Sequence, residues 1–143
     1  MDLILICRDA LANSLVGNLV LAMEAKKAGT DVGVIITEEA LAAMTGGTFC
    51  WPRELKEQVM RYKMADNAAA VGLTTQGGRG DGRQINLRQL ITAAKEAGVP
   101  MFACPVWTAL LGLKGNLPEG IKEVELPEAL KMITEAKKVI GSF

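Results

Sequence analysis

Short apolar runs alternate with stretches of helical period along most of the chain. Leu3 to Ile6 is a continuous run of four apolar residues, the length and character of a strand buried on both faces. After the polar pair Arg8-Asp9, Leu11, Leu15, Leu19, Ala22 and Met23 recur at helical spacing, with Asn13, Asn18, Glu24 and Lys26 on other faces. Gly29 stands where a helix C-cap glycine belongs. Val32 to Ile36 predicts a second buried strand, and Thr37-Glu38-Glu39 opens a short Ala- and Leu-rich helix reaching Met44. The opening is therefore β-α-β-α, the signature of a parallel sheet.

The same rhythm returns at Asn86, an N-cap residue, with Leu87, Leu90, Ile91 and Ala94 on one helical face and Gly98 as the stop. Val99 to Ala103 predicts a strand, and Cys104-Pro105 begins a helix carrying Val106, Leu110 and Leu113 and ending in Gly112 to Gly115. Ile121 to Leu126 reads as the last strand, and Pro127 starts a final helix with Leu130, Ile133, Ala136 and Ile140. Between the two halves, Thr45 to Pro52 is a loop by its glycines, and Pro52 opens a helix from Arg53 to about Ala70. Ala69 to Leu73 offers a weak third strand, and Thr74 to Arg83, with four glycines, predicts a surface loop. The pattern contains no repeat and no linker. It predicts an α/β fold over residues 1–143 as a single domain, with an open, mostly parallel sheet and flavodoxin-like winding.

Composition narrows the chemistry. The chain has 143 residues, half of them hydrophobic but only 4% aromatic, so its core must be aliphatic. It has no histidine, which removes Ser-His-Asp and Cys-His catalysis and the usual His-containing zinc sites. Sixteen basic residues balance sixteen acidic ones, giving no electrostatic footprint for a nucleic-acid backbone or an anionic membrane. No stretch approaches the apolar length of a membrane span, and Met1 to Cys7 lacks the basic start and apolar length of a signal sequence. Three scattered cysteines form neither a disulfide framework nor a CxxC clip, which fits a reducing, cytoplasmic setting. Neither a metal nor a cofactor is expected.

The remaining reactive groups are thiols. Cys104 ends a strand and precedes a proline, so it is the expected N-cap of the next helix. There, free N–H groups and the positive end of the helix dipole favour a thiolate, at the carboxyl edge where ligands collect in open parallel sheets. The competing reading is a small buried hydrophobe, since free cysteine is among the most buried residue types. Cys7 also ends a strand, beside Arg8. If its strand neighbours that of Cys104, the two thiols share one crevice; otherwise Cys7 simply closes the core. Cys50, between Phe49 and Trp51, reads as a resolving thiol, a pocket wall or a packing anchor of its loop. Gly77 to Arg83 lacks the GxxxxGK[ST] spacing of a phosphate loop. Its Arg79-Gly80-Asp81 tripeptide has no extracellular context, although Arg79 or Arg83 could fold over an anion. Asp9, Glu38 and Glu39 read as acid-base candidates or as carboxylates complementing helix dipoles.

At Ala103-Cys104 these observations meet a family pattern. Gly98-Val99-Pro100-Met101-Phe102-Ala103-Cys104, then Leu111-Gly112-Leu113 and Gly120-Ile121, resembles the DsrE/DsrF-like sulfur-relay family. The opening strand, the helix ending in Ala25 to Gly29, and Val32 to Thr37 look like that family too. The resemblance covers about the first 40 and last 60 residues. It implies a three-layer α/β/α domain of four to five strands that assembles as trimers or hexamers. It also implies a cysteine, matched by Cys104, that accepts sulfur as a persulfide and passes it to a relay partner. Trp107 stands where many members have serine, and Pro105 follows the cysteine directly. Cys104 is thus the expected catalytic residue, with Arg8, Cys7, Trp107 and Thr108 the expected substrate-binding set; Thr108 and Arg8 are candidates to orient the terminal sulfur. The alternatives are a non-catalytic module holding an anionic ligand at the Arg8 and Cys104 edge, or an assembly subunit with inert thiols. Met44, Met60, Met64 and Trp51 are candidates for a subunit interface.

Overall fold

A computed structural model describes residues 1–77 and 83–141. Its main sheet has five parallel strands in the order β6-β5-β2-β1-β7: β1 (Leu3–Cys7), β2 (Val32–Ile36), β5 (Met101–Ala103), β6 (Ile121–Glu123) and β7 (Lys138–Gly141). Helix α1 (Ala12–Lys27) joins β1 to β2, and Gly29 turns the chain out of it at φ 82°. Helix α2 (Glu38–Met44) follows β2, and α5 (Leu87–Glu96) leads into β5. The Asn86 side chain accepts the Gln89 N–H at 3.0 Å and caps α5 as its position predicts. Helix α6 (Pro105–Leu110) and α7 (Leu126–Glu135) complete a three-layer α/β/α arrangement.

Alternation along the strands sorts the apolar side chains into two cores. Leu5, Cys7, Val32, Val34, Ile36, Met101 and Ala103 pack on one face with Leu15 and Leu19 of α1 and Leu90 of α5. Ile4, Ile35 and Phe102 pack on the other with Ala129 and Met132 of α7. β2 is buried along its whole length, as a central parallel strand requires.

The structure departs from the sequence pattern in the middle and at the end. The helix expected from Arg53 to about Ala70 breaks at Glu57, whose backbone is extended (φ −61°, ψ 145°), into α3 (Arg53–Lys56) and α4 (Gln58–Asn67). The Pro52 carbonyl takes the Leu55 and Lys56 N–H groups and closes a single turn. Neither piece has a buried stripe to keep the two coaxial, since α3 buries nothing and α4 only Ala65. Ala68–Val71 is a 3₁₀ turn and not a strand; the Leu73 N–H returns to the Ala68 carbonyl at 3.0 Å instead of pairing with the sheet. Inside the expected loop from Thr74 to Arg83, β3 (Thr75–Gln76) forms and pairs antiparallel with β4 (Gln84–Ile85), which begins just after it. Arg83 stacks 4.9 Å over the Tyr62 ring and pairs with Asp66 at 3.2 Å. The Arg-Gly-Asp tripeptide lies outside the described residues.

The final helix stops at Glu135, and Ile140, expected on its face, belongs to β7. Lys137 and Lys138 donate their N–H groups to the Met1 and Asp2 carbonyls, and Lys137 Nζ lies 2.6 Å from Asp2 Oδ1. This ion pair lowers the Asp2 carboxyl and raises the Lys137 ammonium from their ordinary values, each mainly through the hydrogen bond they share. Beta-branched Val139 and Ile140 then continue along the otherwise open edge of β1.

β7 is an edge strand, so its amides alternate between the sheet and water. Hydrogen exchange is expected to show Lys138 and Ile140 protected and Val139 exchanging fast, whereas a helix continued through Ile140 would protect all three.

Candidate functional site

Cys104 lies one residue past β5, at the carboxyl edge of the sheet. Its N–H donates to the Ile36 carbonyl at 2.9 Å, which prolongs the β2–β5 pairing by one bond. Pro105 then fixes the first turn of α6, and Cys104 takes the N-cap backbone conformation at φ −61°, ψ 122°. The Cys104 carbonyl accepts two bonds from Thr108, from its N–H at 2.8 Å and from its hydroxyl at 2.9 Å. The thiol is free, half-buried, and makes no capping hydrogen bond.

The thiol packs against the α7 core and borders a slot of about 130 Å³. Phe102, Pro105 and Val124 line one side of the slot, and Leu126, Leu130 and Ile133 of α7 line the other. Leu126 and Leu130 are 56% and 60% exposed, so the slot opens onto an apolar helix face.

The other expected site residues are placed elsewhere. β5 pairs with β2, and β2 with β1, so Cys7 and Cys104 are separated by a whole strand, roughly 9–10 Å of sheet. They also face opposite layers, Cys7 toward α1 and Cys104 toward α7. The shared crevice therefore does not form. Cys7 is buried, and loss of hydration, with a smaller contribution from Asp9, pushes its thiol up to about 12. The Arg8 guanidinium stands 3.4 Å from Glu38, and its carbonyl takes the Ala40 N–H at the start of α2. Trp107 packs against the α1-side core and is not part of the slot wall. Thr108 is buried, and its one hydroxyl proton is engaged by the Cys104 carbonyl, leaving only acceptor capacity toward a ligand.

Cys50 is exposed and serves as an anchor of its loop: its carbonyl takes the Ala12 N–H at 2.8 Å, and its own N–H reaches the Ala10 carbonyl at 2.9 Å. Of the carboxylates near the strand ends, Glu38 is distinctive. It has φ 51°, a left-handed conformation that costs a non-glycine residue about 1 kcal/mol or more, at the turn from β2 into α2. Sequence reasoning had no signal for that strain. The wall contributed by α7 was equally hidden, because its approach to Cys104 depends on a crossing to the far face of the sheet. The apolar periodicity of residues 126–133 was the only hint.

The architecture is similar to that of the YchN protein from E. coli, at 18% sequence identity and TM-score 0.60, over 99% of this chain and 98% of that one. A conserved protein of unknown function from Bacteroides thetaiotaomicron aligns at 14% identity and TM-score 0.47 over 98% of this chain and 94% of its own. No family model and no curated protein matches the chain. The likeness to YchN shows a shared fold, with flavodoxin-like winding.

The Cys7 thiol gives a measurable pH dependence. In the unfolded chain it loses its proton near 9, but in the folded chain only near 12. Above pH 9 the folded state therefore holds more protons than the unfolded one, so this contribution is complete below 9 and declines toward 12. Denaturant titrations should show the stability difference between the parent and Cys7→Ala shrinking by about 1 kcal/mol per pH unit across that window. A difference constant from pH 8 to 11 would contradict the burial assigned to this thiol.

Proposed function

We propose that the protein is a sulfur carrier in which Cys104 accepts sulfur as a persulfide and passes it to a thiol of a relay partner. The observation that carries this reading is the setting of Cys104. It is a free, half-buried thiol at the carboxyl edge of a parallel sheet, at a helix start, with an apolar slot beside its sulfur. Ligands of open α/β sheets collect at that edge. The YchN-like fold supports the reading by agreeing in architecture with the family resemblance, which falls on the same Cys104 that its strand-end position singles out.

The exchange is balanced without an outside oxidant. The Cys104 thiolate attacks the outer sulfur of a donor R–S–SH; the S–S bond of the donor breaks, RS⁻ leaves, and Cys104–S–SH forms. A partner thiolate then attacks that outer sulfur and releases the Cys104 thiolate. The apolar slot beside Cys104 keeps water from the new S–S bond. Thr108 contributes by locking the Cys104 carbonyl and hence the position of the sulfur, not by donating to it. Arg8 and Cys7 take no part in this reading, and Trp107 supports α6 from the opposite core.

The same reading extends to assembly. Val106 and Leu110 of α6 and Leu126, Leu130 and Ile133 of α7 are exposed apolar residues beside the thiol. They are better placed to meet a second copy than Met44, Met64 or Trp51, which pack against the core. A homo-oligomer formed through the α6–α7 face would also narrow the mouth of the slot.

After incubation with polysulfide, intact-mass and peptide analysis should find one added sulfur atom on Cys104, removed by dithiothreitol and absent in Cys104→Ser. Equal sulfur loading at exposed Cys50, or none at Cys104, would sink the proposal.

A further inference from the structure

A cavity lies on the other side of the sheet from Cys104. Its volume is about 840 Å³, inside the range of about 300–1,000 Å³ usual for small-molecule sites. One wall is the loop after α2, with Thr48, Phe49 and Trp51; the opposite wall is the start of α5, with Leu87, Arg88 and Ile91. Gln76 and Gln84 of the β3–β4 pair close one end.

Both walls are fixed in place by their own hydrogen bonds. The Cys50 backbone ties the aromatic loop to the start of α1 through two bonds, and the Gly47 N–H reaches the Ala42 carbonyl at 3.2 Å. Gly47 lies so close to α2 that a Cβ there would stand 3.1 Å from the Ala43 Cα, so a side chain at this point would push the loop a few tenths of an ångström off the helix. On the α5 side, the Asn86 N–H is held by the Thr74 carbonyl at 2.9 Å, and its side chain caps the helix. A cavity between two anchored walls requires little ordering when it fills.

Its chemistry is specific. Two of the six aromatic residues of the chain, Phe49 and Trp51, stand in the wall, and Leu87, Ile91 and Ile85 supply an aliphatic floor. The amides of Gln76 and Gln84 offer donors and acceptors to the edge of a ring. Among the described residues of the lining Arg88 is the single charged one and none is a carboxylate, and none of the described carboxylates pairs with the Arg88 guanidinium. Arg88 also stands in the first turn of the ten-residue α5, where the helix dipole adds to its positive field.

We infer that this cavity binds a planar aromatic anion: a ring system against Phe49 and Trp51, its edge on the glutamine amides, and its anionic group on Arg88. A nucleoside monophosphate and an aromatic carboxylate share this chemistry. The site is independent of Cys104, which faces the α7 layer.

The chain carries two tryptophans, Trp51 in the wall and Trp107 outside it, so their indole N–H signals give a reporter and an internal control. The protein labelled with ¹⁵N-tryptophan is titrated separately with adenosine monophosphate and with 2-naphthoate. The Trp51 signal should shift saturably while Trp107 stays in place. Arg88→Gln should weaken binding about tenfold to a hundredfold, as expected for one charge-assisted hydrogen bond. Adenosine and 2-naphthalenemethanol, which lack the charge, should bind the parent correspondingly less well. Tighter binding of the nucleotide identifies a nucleotide site; tighter binding of naphthoate identifies an aromatic-acid site. The inference is overturned if neither anion moves Trp51, if both indoles move together, if the neutral compounds bind equally well, or if Trp51 responds only to protein concentration, the mark of a second copy filling the cavity.

Discussion

The pleat of the parallel sheet governs where chemistry can occur in this molecule. Consecutive residues of a strand point to opposite faces, and a central parallel strand is covered on both, so each position near a strand end is committed to one layer. Ala103 is a buried member of the α1-side core, and Cys104, one residue later, faces the α7 layer. Cys7 falls in the phase of Leu3 and Leu5 and is committed to the α1 side. Two thiols that look equivalent as strand-ending cysteines thus have different environments. One is closed off by aliphatic side chains and held protonated; the other borders a slot that reaches the surface.

The same constraint explains how much of the fold was legible. β1, α1, β2 and α2 follow the apolar pattern closely because local sequence decides them: four- or five-residue apolar runs for strands, helical spacing for helices, and Gly29 and Asn86 as end signals. The strand order was not legible, because which strand lies beside β1 depends on packing between distant segments. The crevice imagined between Cys7 and Cys104 needed β1 and β5 to be neighbours, and β2 occupies that place. The end of the chain misled for a different reason. Ala136 and Ile140 continue the helical phase of Leu130 and Ile133, and nothing local reveals that Asp2 and Lys137 will clamp this segment to the open edge of β1.

Of the candidate site, Cys104 and its helix start were readable, since an apolar run, a cysteine and a proline in succession define a strand-to-helix turn. The identity of its neighbours was not. Arg8 stands at another strand end, but its charge is drawn toward Glu38 at the start of α2. Thr108 was read as a candidate to orient the terminal sulfur, but it stands four residues after Cys104, and that spacing lets its hydroxyl bond back to the Cys104 carbonyl. The slot is built from α7, which is more than twenty residues away in the chain and crosses to the far face.

A chain without histidine must control its thiols by placement alone. Burial achieves this for Cys7: the pocket excludes water, the anion is penalised, and Asp9 adds repulsion. Cys50 shows the opposite case, an exposed sulfur whose backbone, not its side chain, does the structural work of anchoring a loop. Cys104 lies between these extremes, open enough to be reached and enclosed enough to be shielded. Persulfide transfer asks for that combination, because the attacking sulfur must meet a donor while the terminal sulfur, once bound, must be kept from adventitious thiols. Under the proposed function, an apolar face covered by a second molecule would meet both demands, admitting the donor when open and protecting the product when closed. The exposed leucines of α6 and α7 thus belong to the same physical argument as the cysteine beside them.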